Sequence, residues 1–170
     1  MIGYLLLLVA VGLERLAELV VSKRNLRWSL SRGGFEVGAG HYPAMVALHS
    51  LLLIGCAAEV LTLHRPFLPE LGWPMLVLLA ASQALRWWCI WTLGRQWNTR
   101  VVLTPGLPLV RSGPYRMMRH PNYLAVVVEG AALPLMYSAW LTATIFALCN
   151  AALLRVRIRA ENAALATVSG

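Results

Sequence analysis

Apolar residues along this chain gather into five runs, over residues 2–21, 42–63, 73–92, 122–137 and 141–154. A bilayer core about 30 Å thick is crossed by roughly 20 helical residues, and the first three runs have that length. The last two are shorter and are joined only by Ser138, Ala139 and Trp140, so they form an antiparallel hairpin. At about 1.5 Å per residue, the fourth run reaches some 24 Å, enough to cross only a locally thinned bilayer. The pattern predicts an all-α integral membrane protein of about five transmembrane helices. A long connection precedes the C-terminal helical hairpin. Residues 1–92 hold three N-terminal spans; residues 93–170 hold the connection, the hairpin and a polar tail, all within one structural domain. Residues 31–40, with four glycines, read as a flexible connection. Pro74 stands where the third helix would start.

Composition supports lipid as the solvent for those runs. Apolar residues are 59% of the chain and charged residues 13%, against roughly 25% charged in ordinary soluble domains. Cys56, Cys89 and Cys149 all lie inside apolar runs without disulfide or metal spacing, so they read as small core residues and no metal site is expected. The apolar N-terminus lacks a preceding basic region and a following small-residue cleavage site, which makes it a retained first span.

Charge then orients the spans. The net charge is +8, and fourteen of the fifteen basic residues are Arg. Lys23, Arg24, Arg27 and Arg32 follow the first run. Arg95, Arg100, Arg111, Arg116 and Arg119 follow the third, and Arg155, Arg157 and Arg159 follow the fifth. The other face has Arg65 alone, near Glu70. By the positive-inside rule the N-terminus is outside and the C-terminus cytosolic. Because the charges sit between apolar runs rather than on one polar face, they report topology and anionic lipid, not nucleic acid. The tryptophans near the run ends suit an interfacial belt.

The candidate chemistry lies in the third connection, residues 94–123. Thr104-Pro105-Gly106 and Ser112-Gly113-Pro114 are rigid turn signals, so a folded loop is expected rather than a disordered one. Arg119-His120-Pro121-Asn122-Tyr123 leads into the fourth run. Pro121 fits a first helical turn, whose free N–H groups and positive dipole end attract a carboxylate or phosphate. The bland alternative is that Arg116 and Arg119 bind lipid headgroups and His120 caps the helix. Glu129 lies within the apolar run, where a carboxylate is costly and normally partnered; Arg86 and Arg15 are its candidate partners, and pocket lining is its alternative use. Arg157 and Glu161 share a helical face at i and i+4, either as a weak surface pair or, converging with His120, as a substrate clamp with an acid/base group. Glu14, Arg15 and Glu18 form a further charged cluster in the first run, read as structural.

GPYRMMRHPNYL resembles the GPY…RHPxY signature of the isoprenylcysteine carboxyl methyltransferase family. LGRQW resembles its preceding LGxxW element, and RIRAENAAL its C-terminal RIxxEExxL element. The three motifs, in order, cover residues 93–165. The resemblance implies a helical membrane enzyme that uses S-adenosyl-L-methionine. Tyr115, Arg119, His120, Pro121 and Tyr123 would line the cofactor pocket, with Val101, Val102 and Leu103 packing on adenosine. Arg157 and Glu161 would stand at the reacting end. Independently of the resemblance, Glu129 and Arg86 are the candidate substrate-binding residues. Asn162 departs from the family's paired glutamates. The short tail looks like a bacterial branch that O-methylates long-chain phenols or pyrones, and the preference for Arg over Lys suggests a GC-rich bacterial genome.

The implied function is O-methylation of a lipophilic acceptor, either a phenol or pyrone lipid or an isoprenylcysteine carboxylate, in a bacterial plasma membrane. The rival classes are a membrane reductase of the sterol-reductase type, for which no dinucleotide glycine motif exists, and a transporter or scaffold. The acceptor's identity and the oligomeric state are not encoded in any motif.

Overall fold

A computed structural model describes residues 1–168 and the side chains of residues 1–164; the last two residues of the expected C-terminal unit lie outside the described ones. Five long helices form a bundle: α1 (Ile2–Leu30), α2 (Tyr42–Thr62), α3 (Pro69–Leu93), α5 (Pro121–Leu135) and α6 (Trp140–Val168). A single turn, α4 (Pro114–Met117), precedes α5. Three helical stretches, Ala39–Thr62, Pro69–Gln96 and Trp140–Ala164, are long and apolar enough to cross a membrane. The other two long helices fall short for separate reasons. Glu14, Arg15 and Glu18 interrupt α1, and α5 has only 15 residues.

Most boundaries agree with the apolar runs, with physical causes where they differ. α1 continues past its run through Lys23, Arg24 and Arg27, because nothing between them breaks a helix. α3 begins at Pro69 rather than near Pro74, which lies inside the helix and costs it one backbone hydrogen bond. α6 is continuous from the hairpin into the tail, so Arg157 and Glu161 project from the same rigid rod as the apolar run. The hairpin turn closes on a hydrogen bond from the Ala139 N–H to the Pro134 carbonyl, 3.0 Å.

Residues 31–40 hold more structure than their glycines suggest. Phe35–Val37 forms β1, which pairs antiparallel with β2 (Val101–Leu103), Glu36 standing opposite Val102. Arg100 grips both oxygens of Glu36 at 2.9 and 2.8 Å. This ribbon ties the first connection to the third.

The apolar core fills the end of the bundle away from the ribbon. Tyr4, Leu8, Leu52, Cys56, Leu133 and Phe146 pack there from α1, α2, α5 and α6. Tyr4 donates its hydroxyl to the Leu133 carbonyl at 2.9 Å. At that same end, Glu59 receives the Leu141 and Thr142 N–H groups at 3.2 and 2.7 Å, which satisfies the first turn of α6 and holds the hairpin against α2. The opposite end is looser, and it carries the ribbon, the long connection and the polar motifs.

Candidate active site

The long connection is built by short-range chemistry. Gly94, at φ +53°, ends α3 in a backbone region that favours glycine. The next residues form one 3-10 turn, Gly94–Gln96. Asn25 of α1 then reaches across to the carbonyls of Gly94 and Trp97, at 3.2 and 2.7 Å. Ser22, one turn earlier on α1, bonds Asn98 at 2.6 Å and Thr99 at 2.8 Å. The segment after α3 is thereby pinned to α1 before it enters β2. Gly113, at φ +54°, lies so close to Thr92 that a Cβ would approach its hydroxyl to 2.6 Å. It seats α4 on the end of α3.

Among the described residues, cavities lie on either side of this segment. The first, about 1250 Å³, lies under the ribbon and the connection. Its walls bring together nine of the residues singled out by sequence: Val101, Val102, Leu103, Tyr115, Arg119, His120, Tyr123, Arg157 and Glu161. Arg111, Arg116 and Asn162 also line it. Pro121 does not; it is buried at the first position of α5 and acts by shaping that helix start. His120 makes no side-chain cap to α5. Its ring instead stacks on Tyr123, centroids 5.2 Å apart, with Nδ1 3.8 Å from Glu161. Burial pushes the Tyr115 hydroxyl above its ordinary pKa, and the neighbouring Cys89 thiol acts in the same direction, so Tyr115 stays a neutral phenol throughout the physiological range.

The second cavity, about 490 Å³, lies deeper, between α1, α2, α5 and α6. It is walled mainly by apolar side chains such as Val9, Leu13, Leu16, Leu53 and Ile54. Several of these, Leu13, Leu16 and Ile54 among them, are also exposed on the outer surface. Trp97, Asn122, Tyr123 and Arg157 belong to the walls of both cavities.

Two of those four side chains, Tyr123 and Arg157, belong to a hydrogen-bonded unit that extends to Glu161. Arg157, only 5% exposed, donates from Nε to the Tyr123 hydroxyl at 2.8 Å and from one terminal nitrogen to the Thr99 carbonyl at 2.6 Å. Its other terminal nitrogen lies 2.9 Å from Met45 Sδ. Tyr123 donates in turn to Glu161. Of the two readings of the tail pair, a weak surface pair or a group converging with His120, the geometry fits the second: Glu161 approaches His120, and Tyr123 is inserted between Glu161 and the buried Arg157. Glu161 borders the first cavity and not the second.

Arg86 and Glu129 are placed differently. Glu129 forms a 2.8 Å ion pair with Arg86 and a 3.4 Å pair with Arg15, so both candidate partners hold it at once. Glu129 lines neither cavity; Arg86 borders the second, near Arg15 and Glu18. The glutamate expected on the substrate side is therefore a partner of the arginines behind that wall.

Sequence reasoning passed over Trp97, Thr99, Ser22 and Asn25. Trp97 is only 2% exposed, yet its indole N–H has no partner among the described residues, and neither does the Asn122 side-chain oxygen. The tryptophan of LGRQW was the available signal for Trp97. The serine and asparagine of α1 gave none, because single polar residues on a helix do not announce a distant partner. Among the described residues, no group of three or more His, Cys, Asp or Glu is placed to hold a metal.

A bundle with long apolar helices and a basic cavity abutting an apolar one defines a class: an integral membrane protein with a polar cavity and an apolar one that share a wall. Known relatives make this specific. The family model for isoprenylcysteine carboxyl methyltransferases matches residues 75–167, and the chain belongs to that family. It is 38% identical over 161 residues to the uncharacterized protein YpbQ of Bacillus subtilis, covering 94% of this chain and 95% of the relative. An uncharacterized protein of Haemophilus influenzae is 24% identical over 154 residues, covering 89% and 88%. No solved structure matches the chain.

Proposed function

We propose that the protein is an S-adenosylmethionine-dependent O-methyltransferase acting on a lipophilic acceptor, with the cofactor in the basic cavity and the acceptor in the apolar one. The observation that carries this is the wall of Trp97, Asn122, Tyr123 and Arg157 common to both. The first cavity suits the cofactor in chemistry as well as size. Val101, Val102 and Leu103 offer an apolar face for adenosine. Arg111, Arg116 and Arg119, beside the start of α5, offer positive charge for the methionine carboxylate. The bound cofactor supplies an electrophilic methyl group on a sulfonium whose leaving thioether is neutral.

The protein's own work is alignment and exclusion of water, a contribution of several kcal/mol to the barrier. Residues 94–123 and α6 hold the two ligands at one wall, and the second cavity opens sideways to lipid between α1 and α2. In this reading all five long helices cross the plasma membrane, the N-terminus is outside, and the cavity under the ribbon faces the cytosol. The acceptor's polar end meets the wall, and its chain lies along Leu13, Leu16 and Ile54.

A phenol or pyrone lipid, or an isoprenylcysteine carboxylate, fits that description; Glu161 is the base that a phenol would need and a carboxylate would not. Binding of labelled S-adenosylmethionine to purified protein in lipid nanodiscs tests the cofactor assignment. Saturable binding that is lost in Arg119→Ala with His120→Ala is expected. No binding at high micromolar cofactor, in lipid and in detergent, would overturn it.

A further inference from the structure

Resting on that reading, we propose that Tyr123 is the catalytic group that takes the acceptor's proton and passes its own to Glu161. Placement makes the case. The acceptor occupies the second cavity, whereas Glu161 lines only the first. A carboxylate behind the wall needs an intermediary. Of the four side chains common to both cavities, Trp97 and Arg157 offer donors only and Asn122 is a neutral amide. Tyr123 alone has an exchangeable proton already directed at a carboxylate, since its hydroxyl donates to Glu161. Its oxygen accepts from Arg157 Nε at 2.8 Å and keeps acceptor capacity for one further donor. The Arg157 charge steadies the oxygen while negative charge passes through it.

The step balances. The acceptor O–H breaks as its proton reaches the Tyr123 oxygen, and the Tyr123 proton moves to the Glu161 carboxylate. The acceptor oxygen bonds the methyl carbon, and the electron pair of the broken C–S bond stays on sulfur. Glu161, open to the first cavity, then yields its proton to water. Glu18 is the rival, because it lines the second cavity directly. Arg15 and Arg86 hold its Oε2 at 2.8 and 3.6 Å, which leaves only its buried Oε1 without a partner among the described residues. Glu18 also lies one helical turn, about 6 Å, deeper along α1 than Ser22, which marks the level of Thr99 and the wall.

The decisive experiment compares Tyr123→Phe, Glu161→Gln and Glu18→Gln with the full-length protein in nanodiscs, over alkylphenols of graded acidity. The relay predicts that Tyr123→Phe and Glu161→Gln each lose about 100-fold or more on a weakly acidic phenol. Both should lose less than about fivefold on a nitro-substituted phenol already ionised in the assay, a dependence that a merely structural defect would not produce. Absorbance gives a second reading without turnover. A nitrophenol probe bound without cofactor, below its own pKa, should show more phenolate in the native protein than in Tyr123→Phe. Losses independent of acceptor acidity, equal phenolate bands, or an acidity-dependent loss confined to Glu18→Gln would each overturn the relay. Failure of the native protein to methylate any acceptor would instead defeat the functional reading beneath it.

Discussion

Two clusters of Arg and Glu in this molecule have opposite fates. In the first, Glu18 and Glu129 share Arg15 and Arg86 between α1, α3 and α5. Gln83 and Trp87 close it off through Glu14, at 2.8 and 2.6 Å. In the second, Arg157 and Glu161 are joined through Tyr123, beside His120 and an open cavity. The residue types are the same. The difference is that carboxylates of the inner cluster meet guanidinium groups, whereas the carboxylate of the outer one meets a phenol and an open cavity. Paired charges among apolar helices fix geometry, and a carboxylate left facing a transferable proton can do chemistry.

Breaking each cluster in turn should separate these roles. Arg86→Met removes one of the two guanidinium groups that Glu18 and Glu129 share, and should destabilise the protein by about 3–5 kcal/mol. Unfolding in mixed micelles measures this, and a loss below about 1 kcal/mol would show that the inner cluster is not structural. Glu161→Gln should cost about 100-fold in rate on a phenol, about 2.7 kcal/mol of barrier, with little change in unfolding and only a small loss on a carboxylate acceptor. Equal rate losses on both acceptors would remove Glu161 from the role of base. Trp97→Phe removes a buried donor without a protein partner, so no hydrogen bond is lost and only the lost volume at this buried site should cost, about 1–2 kcal/mol. Glu36→Gln, which weakens a partly exposed pair with Arg100, should cost no more than about 1 kcal/mol by the same unfolding assay.

The same contrast explains how much of the molecule could be read from its residues. Long apolar runs and punctuating arginines are collective signals, so the bundle and its basic end were legible. The partners of Glu129 were legible because a carboxylate in an apolar run needs a cation, and the chain offers few. The ribbon was not, since three residues such as Phe35–Val37 are too short to show a period of two. The reach of α1 past its apolar run was hidden too, as polar residues without a breaker continue a helix silently. In the site, RHPNY and the Arg157–Glu161 spacing marked the second cluster, while the insertion of Tyr123 between those two residues depends on how α5 and α6 pack. Trp97 belongs to the same category. Its unpartnered N–H exists only once Asn25 has fixed the backbone beneath it.

The central claim, that a methyl group crosses the wall between the two cavities, is tested most directly by mass spectrometry. The purified protein would be incubated with bacterial lipid extract and S-adenosylmethionine deuterated in its methyl group. The account predicts a lipid that gains one deuterated methyl on oxygen, lost when Glu161→Gln replaces the native protein. Saturable cofactor binding with no labelled acceptor from any extract would contradict it.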